Sequence, residues 1–317
     1  CGISGDLVNM ETLYIFKEFF NKTLGSYNVE SRSDHSYLNP DKRENYLFNS
    51  TINGIEKADF ILLIGTNPRY EATILNARIR KSYLQNKTKI ISLNNVGDLT
   101  YPYEALNGDI ENIKDITEEK HEISKLIKEA KKPLIIFGQS VLKANSAKYI
   151  FESVKSFLYK NNKISNEWNS LNIISENAST VGSFDLGMYK TKDGSNEVLK
   201  DLENNKFEIV YLLGQDNLKF KKQNEFVIYQ GSHGDKGAEM ADIILPGAAY
   251  TEQNGYFTNL EGKLQKAYKA SFPPEEAKED WLIINELAEA INYKKLFNDK
   301  DDLDSSLINQ INLYIEK

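Results

Sequence analysis

Residues 229–265 read YQGSHGDKGAEMADIILPGAAYTEQNGYFTNLEGKLQ, and the fold turns on how this stretch is parsed. Glu225-Phe226-Val227-Ile228-Tyr229 leads into it as a strand leaving a buried sheet. A polar loop with Gly231, His233, Gly234, Asp235 and Gly237 follows, then a short helical segment around 238–241. Ile243-Ile244-Leu245 is a compact apolar strand closed by Pro246-Gly247. Gly255 and Gly262 bracket Tyr256-Phe257-Thr258-Asn259, which is too irregular for a helix and too glycine-punctuated for a regular strand. Asn259 and Glu261 are expected to bond backbone groups of neighbouring loops there. Glycine clusters permit positive φ and close backbone approach, so the stretch reads as a crevice wall beside a sheet edge. Tight packing alone is the competing reading.

Outward from this stretch the same unit recurs. Phe60-Ile61-Leu62-Leu63-Ile64, Leu134-Ile135-Ile136-Phe137 and Ile209-Val210-Tyr211-Leu212-Leu213 are buried runs stopped by Gly65, Gly138 and Gly214. Residues 88–93 supply another strand, and helical rhythms span 6–24, 70–85, 118–131, 144–159, 280–291 and 303–315. Continuous apolar strands alternating with helices predict an α/β fold: Rossmann-like, mostly parallel sheets flanked by helices. Residues 25–46 are expected to form a surface loop, and 184–187 a loop element. The expected division is a Rossmann-like region at 1–220 and a C-terminal part at 221–317 that holds the glycine-rich wall and the terminal helices.

Composition narrows the function. The 317 residues carry 39 Lys and Arg against 46 Asp and Glu, a net charge of −7. That balance argues against a nucleic-acid footprint. No apolar run approaches the roughly 20 residues of a membrane span. The single cysteine, Cys1, cannot supply the set of thiolates that holds an iron–sulfur cluster, and His35, His121 and His233 lack metal-ligand spacing. The residues Cys1-Gly2-Ile3-Ser4-Gly5 look like the interior of a longer polypeptide or a processed start. The turn Gly65-Thr66-Asn67-Pro68-Arg69 stands where a strand meets a helix, the usual place for an anion, with Thr66, Asn67 and Arg69 as its ligands. It lacks GxGxxG, however, and the fold needs a break there in any case. Trp168 serves packing or stacks on a ligand, and His233 beside Asp235 is a loop cap or an acid–base pair.

Ala241-Asp242, Leu245-Pro246, Glu252, Gly255, Asn259, Glu261-Gly262 and Gln265 together resemble the molybdopterin oxidoreductase superfamily pattern: ADxxLP, an acidic residue, then GxxxNxEGRxQ, with Lys263 at the usual Arg. With QGSHGDKGA at 230–238 and PGAAYTE at 246–252, the form resembles the 75 kDa iron–sulfur subunit family of respiratory complex I. GTNPRYEA at 65–72, NARIRK at 76–81, LTYPY at 99–103, Trp168 with Asn172-Ile173-Ile174, and Asp185-Leu186-Gly187 extend the resemblance over nearly the whole chain. It implies a molybdopterin oxidoreductase-like fold that has lost its pterin, with no catalytic, cofactor-binding or metal-binding residue in this chain. The iron–sulfur clusters are then expected on an N-terminal segment or a partner chain. Implied partners are other peripheral-arm subunits, including the N-terminal iron–sulfur half, without nucleic acid or direct membrane insertion. The implied location is the matrix side of the inner mitochondrial membrane, or the cytoplasmic face of a bacterial plasma membrane. Two alternatives stand beside it: an active, formate-dehydrogenase-like molybdopterin enzyme, and a nucleotide-binding regulatory module using the Gly65 turn.

Overall fold

The apolar runs become strands because each carries several β-branched or aromatic residues and is cut by a glycine or proline. A computed structural model describes residues 1–191, 193–218 and 220–315. Among these residues the strands are β1 (Gly2–Ser4), β2 (Val29–Glu30), β3 (Phe60–Ile64), β4 (Lys89–Leu93), β5 (Glu104–Ala105) and β6 (Pro133–Phe137). They continue as β7 (Leu171–Ile173), β8 (Ile209–Leu213), β9 (Phe226–Gly231), β10 (Ile243–Pro246), β11 (Gly255–Thr258) and β12 (Leu264–Ala267).

The chain divides into two units, residues 1–35 with 177–317, and residues 36–176. The break expected between 220 and 221 falls inside the first, whose sheet joins β1 and β2 to β8, β9 and β10. The order is β10-β9-β8-β1-β2, and every pairing is parallel. Alternate residues face opposite layers. Tyr211 and Leu213 pack with Leu13, Phe16, Ile284 and Leu303 from the helices Met10–Glu18, Asp280–Asn292 and Lys300–Ile315. Val210, Leu212 and Val227 pack with Val198 and Leu202 of the helix Glu197–Glu203. The second unit holds the parallel sheet β5-β4-β3-β6-β7. Its central strands β3 and β6 are buried throughout, and Phe137 meets Phe151 of the helix Ala147–Lys160 at 5.5 Å between ring centroids. Both sheets therefore show the α/β architecture read from the runs.

Three local readings change. Residues 25–46 are no simple surface loop: β2 runs through them, and Glu30 is fully buried with Arg32 Nη2 at 2.8 Å. The mutual neutralisation of this pair carries polar sequence into the interior. The helix expected at 118–131 is confined to Glu122–Glu129, started by the His121 ring, which accepts from the Ile123 N–H at 3.2 Å; residues 118–121 instead follow a separate helix, Ile110–Thr117, with Glu119 at φ +64°. Residues 184–187 end a short helix, Thr180–Asp185, rather than forming a loop, and Gly187 at φ +71° closes it. The strand read at 243–245 is present as β10, a half-exposed sheet edge.

The segment at 256–259 is also more regular than its glycines suggested. β11 pairs antiparallel with β12, Tyr256 opposite Lys266 and Thr258 opposite Leu264. Gly255 does not break the strand. It is there because a Cβ would lie 2.5 Å from the Asn9 Cβ. Gly262 sits in the hairpin turn at φ +83°, a conformation that favours glycine.

Candidate functional site

In an open parallel sheet a ligand site forms beyond the carboxyl ends of the strands, where the strand order reverses. In the unit of residues 36–176 that point lies between β3 and β6. Gly65 follows β3 at φ +60°, and a Cβ on it would lie 2.5 Å from the Val141 Cβ. Gly138 follows β6, and its Cβ would lie 2.3 Å from the Thr66 Cβ and 2.4 Å from the Gly65 carbonyl oxygen. The two turns are thus pressed together. Thr66 Oγ1 donates to Glu71 Oε2 at 2.9 Å, and the Asn67 N–H donates to Glu71 Oε1 at 2.6 Å. Asn67 Oδ1 caps the Arg69 N–H at 3.2 Å, and Arg69 Nη1 reaches the Asp98 carbonyl and Oδ2, both at 2.7 Å. The Thr100 N–H, and after it Arg69, hold the Asp98 carboxyl below its usual range. The turn carries Thr66, Asn67 and Arg69 as predicted, but Thr66 and Asn67 hold the chain's own Glu71, and Arg69 turns away to Asp98. The sequence reading gave Glu71 no role; the signal that could have found it is an acidic residue one helical turn after Asn67.

In the other unit the order reverses between β8 and β1. Here the closure is by backbone. A Cβ on Gly5 would lie 1.7 Å from the Gly214 carbonyl oxygen, and Gly214 has φ +56°. Gln215 Nε2 donates to the Ser4 carbonyl at 3.1 Å, and Ser179 Oγ to that of Gly5 at 2.8 Å. The glycine-rich loop folds over these turns. A Cβ on Gly237 would meet the Gln215 carbonyl at 2.4 Å. The Tyr229 hydroxyl donates to the Asp216 carboxylate and to the His233 carbonyl, and burial with Asp216 raises its pKa. His233 Nδ1 lies 2.9 Å from Ser232 Oγ. No bond between His233 and Asp235 occurs among the described residues, so the acid–base pair does not form.

A buried polar cluster lies behind this loop, and the sequence reading missed it. Tyr211 donates to Gln230 Oε1 at 2.5 Å, and Gln230 Nε2 donates to Asp280 Oδ1 at 2.9 Å. Gln253 Nε2 donates to Asp280 Oδ2 at 2.7 Å, and Gln253 Oε1 accepts from the Asp280 N–H at 3.3 Å. Asp280 is 9% exposed. Burial pushes its carboxyl up to about 6, against the two glutamine hydrogen bonds, which pull it down. The only sequence signal was a polar residue, Gln230, where an apolar strand ends. A cavity of about 80 Å³ between Asp216, His233 and Asp280 remains at the strand ends. Beside it lies one of about 480 Å³, lined by His233, Glu252, Glu275 and Glu276 and by no Lys or Arg.

The hairpin carries the remaining candidates. Asn259 Oδ1 accepts from the Glu261 N–H at 3.1 Å and the Lys263 N–H at 2.9 Å, and Lys263 Nζ pairs with Glu261 at 2.7 Å. Asn259 therefore serves its own turn instead of neighbouring loops. The Tyr256 N–H donates to Glu11 Oε2 at 2.7 Å, and Lys300 Nζ to Glu11 Oε1 at 3.0 Å. Burial raises the Glu11 pKa, opposed by the charge of Lys300. In the other unit Trp168 Nε1 donates to the Pro133 carbonyl at 2.9 Å and Lys132 Nζ sits 5.5 Å from its ring, which is a packing role. Among the described residues no group of three or more His, Cys, Asp or Glu is placed to hold a metal ion, and no helix is long and apolar enough to cross a membrane.

The family model for molybdopterin oxidoreductases matches residues 1–290. The chain belongs to the molybdopterin oxidoreductase family. It is 41% identical to the NADH-ubiquinone oxidoreductase 75 kDa subunit of Reclinomonas americana, covering 95% of this chain and 45% of that protein. It is 41% identical to the mitochondrial 78 kDa subunit of Candida albicans, covering 94% and 40%. It is 38% identical to an NADH-quinone oxidoreductase subunit of Rickettsia bellii, covering 98% and 44%. The chain thus spans less than half the length of these relatives. Acetylene hydratase from Pelobacter acetylenicus shares the fold, with a TM-score of 0.50 and 12% identity over 98% of this chain and 58% of that one.

The family's name implies a molybdopterin, and the residues here do not fit one. A pterin with its phosphates needs an open crevice and unengaged donors at the strand ends. In one crevice Glu71 takes the donors, and in the other the contact of Gly5 with Gly214 leaves a cavity of only about 80 Å³. The larger cavity presents carboxylates where phosphates would need N–H groups or cations.

Proposed function

We propose that this chain is a cofactor-free scaffold belonging to the 75 kDa-type subunit of an NADH:quinone oxidoreductase. In that reading it sits in the peripheral arm and catalyses nothing by itself. Electrons pass from NADH to quinone over iron–sulfur clusters on other segments. Its partners are the other peripheral-arm subunits and the cluster-bearing half of the same subunit, on the matrix side of the inner mitochondrial membrane or its bacterial equivalent. The similarity to three such subunits supports the assembly. The observation that carries the scaffold role is that the turns at both strand-order reversals are engaged by the chain itself, by Glu71 in one unit and by the Gly5–Gly214 contact in the other. A protein that keeps a pocket for chemistry leaves such groups free for its ligand. Elemental analysis of the purified 317-residue chain tests the reading. Neither iron nor molybdenum is expected, and a stoichiometric amount of either overturns it.

A further inference from the structure

The sequence holds three Asn–Gly bonds, Asn53-Gly54, Asn107-Gly108 and Asn254-Gly255. In a free chain all three are alike: glycine has no side chain to hinder its amide nitrogen from reaching the preceding side-chain carbonyl carbon. The fold makes them unlike. Gly54 is buried in a helical turn, and its N–H donates to the Thr51 carbonyl at 3.1 Å and to Thr51 Oγ1 at 3.0 Å. Gly255 is buried in β11 opposite Ala267, its Cα is wedged against Asn9, and Asn254 Oδ1 is held by the Lys269 N–H at 3.0 Å. Asn107 and Gly108 are both exposed, outside any helix or strand, between β5 and the helix Ile110–Thr117. No acceptor among the described residues takes the Gly108 N–H. Asn107 is tied only by side chains: its Nδ2 donates to Asp109, and its carbonyl accepts from Asn112 Nδ2 at 2.5 Å. Such exposed bonds exchange with water at little net cost.

We propose that Asn107 is a site of spontaneous deamidation, selected by the fold from three equivalent sequences. The Gly108 nitrogen, losing its proton to solvent base, forms a bond to Asn107 Cγ. The Cγ–Nδ2 bond breaks, and Nδ2 departs as ammonia with a proton from water. Water then opens the cyclic imide at either carbonyl and leaves aspartate or isoaspartate, with no change in oxidation state. The product adds a negative charge beside Asp109 and Glu111 at the start of the helix Ile110–Thr117, and the isoaspartate form lengthens the backbone there.

The test is peptide mapping by mass spectrometry of the native assembly, aged at mildly alkaline pH, with enzymatic isoaspartyl methylation as the second readout. Conversion at residue 107 is expected to run at least about tenfold faster than at 53 and 254, which react only after local opening. In urea the three rates should converge, and Gly108→Ala should slow residue 107 alone. Equal native rates, a faster Asn53 or Asn254, no native conversion at 107, or the same ranking kept in urea would each overturn the proposal.

Discussion

Replacing Asp280 by Asn isolates one buried charge. The carboxyl titrates near 3.8 in an open chain and is pushed up to about 6 in the fold, principally by burial. The folded state therefore binds this proton more tightly than the unfolded state does. The stability it contributes is fully present below pH 4 and is lost as pH rises through 6. A shift of about two units makes the whole effect about 3 kcal/mol, of which about 1–2 kcal/mol falls between pH 5 and pH 8. The substituted amide would keep the shape, remove the titration and offer one acceptor where the carboxylate offered two. Turning one glutamine amide to suit it costs about 0.5–1.5 kcal/mol at every pH. Denaturant unfolding of wild type and Asp280→Asn at a series of pH values separates the two effects. The wild type should lose about 1–2 kcal/mol more than the variant between pH 5 and pH 8. Parallel curves across that range would refute the reasoning, since Asp280 would then have no raised pKa to remove.

Glu71→Ala leaves the Thr66 hydroxyl and the Asn67 N–H without their acceptor, so denaturant unfolding should show a loss of about 1–3 kcal/mol. Gly262→Val forces a branched side chain to φ +83°, with strain of about 1–3 kcal/mol. Native gels should show less assembled complex, while NADH oxidation with an artificial acceptor, normalised to assembled complex, stays unchanged. Arg69→Ala removes a solvent-exposed pair with Asp98 and should leave the denaturant midpoint almost unchanged. Calorimetric titration of wild type with NADH, ATP or GTP should show no heat of binding, and a micromolar affinity abolished by Arg69→Ala would restore the nucleotide-module reading.

The runs at 60–64, 134–137 and 209–213, each stopped by a glycine, are enough by themselves to declare the parallel sheets. The pattern at 241–265 does the same for the family, because strand burial, glycine turns and motif spacing are properties of short windows. Even there the windows misled where a glycine had a tertiary cause. Gly255 looked like a strand breaker and is instead a contact with Asn9, far away in sequence. Only the tertiary structure decided that β1 and β2 share a sheet with β8, β9 and β10, so that the first unit is assembled from both ends of the chain. The Gln215–Ser4 bond, whose partners lie 211 positions apart, left no local trace, and the Asp280–Gln230–Gln253 cluster left only a glutamine at the end of an apolar strand. The glutamines are unremarkable in any window, and their meaning comes from a carboxylate that the packing of a helix start places beside them. The same holds for the Gly65 turn. Its sequence specifies an anion-holding geometry, whereas the rotamer of Glu71 and the pressure of the Gly138 turn determine which anion is held.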